Sequence, residues 1–215
     1  LDLRRYIDNS ILKPKVSERE VEDFVRESAR VGFYAVCVNP YHVKLASEVA
    51  GGDIKVCSVV GFPLGLSPKE VKLHEALRAV EEGAQELDVV MNISAFKSGR
   101  YSYVEEELKA LKRESGSVVK VIIETCYLSD EEKVRATELC LSAGVDFVKT
   151  TTGFGPSGAT LEDVRLLKRV AGDRLKVKAS GGIRDLKTAL AMIEAGADRL
   201  GTSSGFKIYK EYKGM

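Results

Sequence analysis

Lys149 and Lys178 each stand in a short run whose other residues favour strands, and a lysine in such a place needs a reason. Phe147-Val-Lys-Thr-Thr-Thr152 is β-branched or aromatic apart from Lys149, the composition of a well-covered strand. Leu175-Lys-Val-Lys-Ala-Ser180 carries Lys178 in a similar setting. Lysine is among the residues least often buried. Either these two lie on an edge strand in water, or they are working groups. Glycines follow each run: Thr152-Gly153, Gly181-Gly182 and, after the next strand, Gly201-Thr-Ser203-Ser204-Gly205. Glycines let backbone N–H groups close on a dianion. Three consecutive strand ends therefore read as a phosphate mouth.

Two familiar nucleotide motifs are mimicked here and both fail. Gly153-Phe-Gly155-Pro-Ser-Gly158 fits G-x-G-x-x-G, but the helix behind it opens only at about Thr160. The acid at the right count, Asp173, precedes the strand that it should end. Gly153 to Thr160 also mimics a P-loop, but Ala159 stands where the phosphate-binding lysine must be.

Metal chemistry is not expected. Cys37, Cys57, Cys126 and Cys140 form no C-x-x-C pair, and His42 and His74 lie far apart. Reduced thiols are expected. Cys37 reads as a small apolar filler, and both histidines as residues of helix surfaces. Lys+Arg number 33 against Asp+Glu 32, spread along the chain, which leaves no footprint for nucleic acid. No apolar run approaches the ~20 residues of a membrane span, and Leu1-Asp-Leu-Arg-Arg does not read as a signal peptide. A cytoplasmic protein is expected. One Gln, three Asn and 30% charged residues resemble hyperthermophile usage.

The elements that must hold the lysines alternate without a break. Ser17-Glu-Arg-Glu20, Ser67-Pro-Lys-Glu70 and Ser129-Asp-Glu-Glu132 read as capping boxes. Strands are expected from about residues 7, 34, 55, 86, 118, 147, 175 and 199. Their spacing of roughly 27 residues is the tight end of a (β/α)8 barrel. The fold class is therefore α/β, a single (β/α)8 TIM barrel over residues 1–215. An open doubly wound sheet explains the alternation equally well, but it leaves two edges to protect.

Catalytic groups in such barrels sit at the C-terminal ends of strands, and alternation says which side chains point inward. Lys149 and Thr151, Lys178 and Ser180, and Asp88, Val90 and Asn92 turn in. Cys37 shares a face with Asn39, and Ile122 with Glu124, a supporting residue. Asp8 enters from the first strand. A polar network kept only for stability must be fully satisfied, and two adjacent ammoniums are an odd choice for it. The lysines therefore read as functional.

With these residues the chain resembles the deoxyribose-phosphate aldolases, a Schiff-base family. The motifs are Asp8, Cys-Val-Asn-Pro (37–40), Val-Val-Gly-Phe-Pro (59–63), Glu-Leu-Asp-Val-Val-Met-Asn (86–92), Lys-Val-Ile-Ile-Glu-Thr (120–125), Phe-Val-Lys-Thr-Thr-Thr-Gly (147–153), Lys-Ala-Ser-Gly-Gly-Ile-Arg (178–184) and Gly-Thr-Ser-Ser (201–204). They run in order along nearly the whole chain. The resemblance implies a (β/α)8 barrel that reversibly cleaves 2-deoxy-D-ribose 5-phosphate to acetaldehyde and D-glyceraldehyde 3-phosphate, with no metal or other cofactor. Its partners would be the phosphorylated sugar, the aldehydes and further copies of itself, as a dimer or higher.

By position, the resemblance makes Lys149 the imine-forming lysine, Lys178 its neighbouring ammonium and Asp88 the acid/base carboxylate, with Asp8 orienting Lys178 or a water. Phosphate would rest on Thr152, Gly153, Gly181, Gly182, Ser203 and Ser204. Phe154 stands where some members carry a phosphate-contacting lysine, and the chain stops soon after Tyr212, where some extend to a tyrosine that reaches the site. Two other functions share parts of this pattern. A phosphosugar isomerase would use the same mouth without needing paired lysines, and a non-catalytic binder would tolerate loss of either lysine.

Overall fold

The computed structural model describes residues 1–214. Eight parallel strands, β1 (Ile7–Ile11), β2 (Ala35–Val38), β3 (Lys55–Val60), β4 (Glu86–Val90), β5 (Val118–Ile122), β6 (Phe147–Lys149), β7 (Lys176–Ser180) and β8 (Arg199–Thr202), pair in chain order and close into a barrel. Closure is by β1 on β8, with Asp8 opposite Gly201. The helices are α1 (Glu18–Val31), α2 (Val43–Ala50), α3 (Lys69–Glu81), α4 (Ile93–Lys97), α5 (Tyr101–Ser115), α6 (Asp130–Ala143), α7 (Leu161–Ala171), α8 (Leu186–Glu194) and α9 (Gly205–Lys213). The expected TIM barrel is the observed fold. No helix among the described residues is long and apolar enough to cross a membrane.

Local chemistry sets most boundaries. Ser17 with Glu20, and Ser129 with Glu132, form reciprocal capping boxes on α1 and α6. The box expected at Ser67 does not form. Pro68 is itself the cap of α3, in extended backbone, so Ser67 lies one residue too far out; the first helical amide, of Lys69, donates to Tyr103 Oη at 3.2 Å instead. β6 is shorter than its β-branched run. The amide of Thr152 would next bond Ser180 O, but Thr150 Oγ1 and Thr151 Oγ1 already donate there, at 2.9 and 2.8 Å.

One expected placement is wrong. His74 lies on the exposed face of α3, but His42 is buried rather than on a helix surface. Pro40 starts a 3₁₀ turn, Pro40–His42, that sends Tyr41 outward and His42 inward.

The main apolar core lies between barrel and helices, where the outward faces of the strands (Val36, Leu87, Val89, Val148, Val177, Leu200) meet the inner faces of the helices. The barrel interior is different. On the β2–β3 side it holds a separate small cluster of Cys37, Cys57 and Val59, flanked by Leu12 and Phe62. Much of the rest is charged, beside the apolar Val90, Ile122 and Phe147.

Candidate active site

Alternation delivers Lys149 and Lys178 to the same height, since they are register partners on β6 and β7. Both ammonium groups donate to one oxygen, Asp88 Oδ2 on β4, at 2.7 and 2.8 Å. The two amines are therefore neighbours with a carboxylate between them, not a bare pair of like charges. Lys178 also donates to Asp8 Oδ2 at 2.5 Å.

Below this layer lies a second one that the sequence reading did not include. Lys120 on β5 donates to Asp88 Oδ1 at 3.0 Å and lies 2.6 Å from Glu86 Oε2 and 3.4 Å from Asp8 Oδ2. Arg199 on β8 donates to Asp8 Oδ1 at 2.9 Å and to Glu86 Oε2 at 3.3 Å. Its guanidinium also covers the Tyr34 ring, 3.5 Å from the centroid. Glu86 and Lys120 were within reach of sequence reasoning. They sit two residues before Asp88 and Ile122, in the inward phase already assigned.

Asp8, Glu86 and Asp88 are thus three buried carboxylates facing four buried cations, Lys120, Lys149, Lys178 and Arg199. Burial works against the charge on Asp88, but Lys120, Lys149 and Lys178 outweigh it and hold the carboxyl well below the usual range. Asp8 is lowered the same way, by Lys178, Lys120 and Arg199 against its burial. Burial opposes the charge on Lys178 too, but Asp8 and Asp88 raise it above the ordinary lysine value. Lys120 is likewise raised, by Asp88 first among its partners. Lys149 is the one cation with a single carboxylate contact; Lys120, Lys178 and Arg199 have at least two each.

A cavity of about 520 Å³ opens over Lys149 and Lys178 at the C-terminal ends of the strands. Asp8, Thr152, Gly153, Gly181, Gly182 and Ser203 line it, together with Cys37. Asp88 lies beneath, fully buried. Ser204 is not on the lining: it precedes α9, and its amide donates to Thr202 Oγ1 at 2.9 Å. The amides of Thr152, Gly153 and Phe154 are also used internally, by Glu124 Oε1, Thr151 Oγ1 and Thr152 Oγ1. The amides of Gly181 and Gly182 donate to no other group among the described residues.

Glu124 secures the β6 loop from the side by accepting from both the amide and the hydroxyl of Thr152, at 3.0 and 2.7 Å. It does so from left-handed backbone, φ 53°, the only non-glycine residue there among those described. Such a conformation costs of order 1–3 kcal/mol and persists when surrounding contacts fix it. Two basic residues absent from the sequence expectation, Lys13 and Arg184, also line the cavity, and neither makes an ion pair among the described residues. Both are loop residues, whose direction alternation does not set.

Tyr212 does not approach this mouth. Its hydroxyl donates to Leu1 O, at the other end of the barrel.

A family model described as DeoC/LacD family aldolase matches residues 5–211. A deoxyribose-phosphate aldolase of Aquifex aeolicus is 62% identical, covering 99% of this chain and 97% of that protein. One from Thermococcus gammatolerans is 56% identical over 97% and 95%. Among solved structures, QR15, an aldolase, superposes with a TM-score of 0.97 at 60% identity, covering 100% of this chain and 97% of that one. A deoxyribose phosphate aldolase from Aeropyrum pernix, described as tetrameric, gives 0.92 at 38% identity over 99% and 91%.

Proposed function

The chain belongs to the DeoC/LacD family of aldolases, and from that premise we propose that Lys149 is the amine that forms the imine. The protein is a lyase that needs no metal and reversibly cleaves 2-deoxy-D-ribose 5-phosphate to acetaldehyde and D-glyceraldehyde 3-phosphate. The observation that carries the residue assignment is the placement of Lys149. It alone among the four buried cations faces the cavity with one carboxylate contact.

As free amine, Lys149 attacks C1 of the open-chain sugar, and loss of water from the carbinolamine gives a protonated imine. The C2–C3 bond then breaks, its electron pair entering the imine to form an enamine. The C3 hydroxyl gives up its proton as C3 becomes the aldehyde of glyceraldehyde 3-phosphate. Protonation at C2 and hydrolysis release acetaldehyde and restore the amine. Asp88 is held ionised, so it takes protons only in passing, relaying them through a water during the carbinolamine and enamine steps. Lys178 keeps a fixed positive charge against the same Asp88 oxygen, positioned by Asp8. This arrangement favours the aldolase over an isomerase, which would have no use for an imine-forming amine.

The assignment is tested by borohydride reduction in the presence of acetaldehyde. One ethyl group is expected on the peptide that holds Lys149. An adduct on a different lysine, or none in active protein, removes Lys149 from this role.

The phosphate is placed at the same cavity, against Gly181, Gly182 and Ser203, with Thr152, Gly153 and Ser204 shaping the loops behind. Lys13 and Arg184 supply the cations that Phe154 does not. Ser203→Asp puts a like charge against the dianion. It should raise KM for the phosphorylated sugar on the order of tenfold, a cost near 1.4 kcal/mol, and leave KM for free deoxyribose almost unchanged. Equal effects on both substrates would place the phosphate elsewhere.

The chain is proposed to act in the cytoplasm as a homo-oligomer, a reading supported by the tetrameric relative from Aeropyrum pernix. Light scattering on the purified protein checks the assembly.

A further inference from the structure

The small sulfur cluster inside the barrel takes no part in the mechanism above. Cys37 and Cys57 are register partners on neighbouring parallel strands, β2 and β3. Neighbouring strands lie about 4.8 Å apart, within the roughly 4.4–6.8 Å between Cα atoms that a disulfide accepts. Both side chains point into the barrel. The two sulfurs lie within 4.8 Å of each other and of an Asp88 oxygen.

The two differ in access and in charge. Cys37 lines the substrate cavity, whereas Cys57 is fully buried and its thiol donates to Asp88 Oδ1 at 3.2 Å. The neighbouring Cys57 thiol lowers the Cys37 thiol, with Lys178 and Lys149 helping against its burial and the Asp88 charge. Burial first, then the nearness of Cys37 and Asp88, pushes the Cys57 thiol up. One sulfur therefore favours the nucleophilic thiolate and opens on the cavity, and the other waits as a protonated neighbour. That is the arrangement of an attacking and a resolving thiol.

We propose that Cys37 and Cys57 are a peroxide-reactive pair that closes to a disulfide inside the barrel and reversibly switches the enzyme off. A hydroperoxide enters through the substrate cavity. The Cys37 thiolate attacks one peroxide oxygen, the O–O bond breaks, and the departing hydroxide or alkoxide takes a proton from water. Cys37 is left as the sulfenic acid. Cys57 sulfur then attacks Cys37 sulfur; the S–S bond forms, and the hydroxyl leaves with the Cys57 proton as water. Two thiols lose two protons and two electrons, and one peroxide is reduced. The closed form loses the thiol donor on Asp88 Oδ1. A hydrogen bond to a charged group contributes about 1.5–3 kcal/mol, so kcat should fall on the order of tenfold or more. A bridge between directly paired strands is strained, and such bridges are readily reduced.

The test uses the full chain carrying Cys126→Ser, which removes the one thiol that is not buried. Cys140 is buried and pushed up to about 12 by burial alone, so it stays inert. After hydrogen peroxide, mass mapping should find the Cys37 and Cys57 peptides linked with the loss of two hydrogens. Activity should fall and return with dithiothreitol. Adding Cys57→Ser removes the resolving thiol: Cys37 should then run on to sulfinic acid, and reductant should no longer restore the variant's own starting activity. Absence of the linked peptide under excess peroxide overturns the proposal, as does full recovery in the Cys57→Ser protein. The mass readout does not depend on catalysis, so it stands or falls separately from the role of Lys149.

Discussion

Lys178→Leu is expected to lower kcat by about two to four orders of magnitude, the usual scale for a lost acid–base group, in a barrel that still folds. In the parent protein Asp88 Oδ2 is shared between Lys149 and Lys178. Without Lys178 that oxygen answers to Lys149 alone, and three cations then face three carboxylates. Both changes tie Lys149 more tightly to Asp88 and slow the first chemical step, which needs its free amine. The fold survives because Asp8 keeps Arg199 and Lys120, and Asp88 keeps Lys149 and Lys120. The measurement is kcat and kcat/KM, with circular dichroism to confirm folding. A kcat within about tenfold of the parent's would remove Lys178 from the chemical steps.

The largest loss of stability is expected one layer down. Lys120→Met removes the partner that touches all three carboxylates, and Glu86 keeps only the 3.3 Å contact to Arg199. Breaking a buried ion pair from one side costs about 3–5 kcal/mol. For a chain of this size, each kcal/mol moves Tm by roughly 2–4 °C, so a fall of roughly 6–20 °C is expected.

The pH dependence has a definite sign. Asp8 and Asp88 are lowered on folding, so their contribution is present above the ordinary carboxylate range and is lost as pH falls through the folded values. Lys120 and Lys178 are raised, so theirs is present below the ordinary lysine value and is lost only as pH rises through the folded values. The parent should hold a plateau from about pH 5 to 10. In Lys120→Met the fall on the acid side should be shallower, because Asp8 and Asp88 are then less depressed and have less stability to lose. Thermal melts at pH 7 and pH 4 check both points, and a Tm change under about 3 °C at pH 7 would show that Lys120 is dispensable.

What the sequence made legible follows from which rules apply where. The eight strands and two capping boxes could be read because β-branched runs, helix-stop glycines and Ser-x-x-Glu spacing act locally. The upper layer of the site, Lys149, Lys178, Asp88 and Asp8, followed from alternation applied at strand ends. In the lower layer Glu86 and Lys120 share the inward phase of Asp88 and Ile122 and were legible. Arg199 escaped because a charged residue opening a strand looks like a residue at the water-facing end. Only the tilt and closure of the barrel draw it beneath the cluster. His42 was misplaced because a 3₁₀ turn shifts the phase that a helix would have given. Glu124 in left-handed backbone has no local signature at all, since glycine is the usual residue there.

The charged interior also constrains how the chain is made. Asp8 leaves the ribosome early, yet its partners Lys178 and Arg199 lie 170 and 191 residues downstream. At about 5–20 residues per second, they follow roughly 10–40 s later. Of its counter-charges only Lys120 on β5, 3.4 Å away, emerges sooner, and until the others follow, burying the carboxylate would cost several kcal/mol. The N-terminal strands therefore gain nothing by collapsing into a dry half-barrel. β1 is expected to stay wet until β7 and β8 arrive, with the barrel closing late.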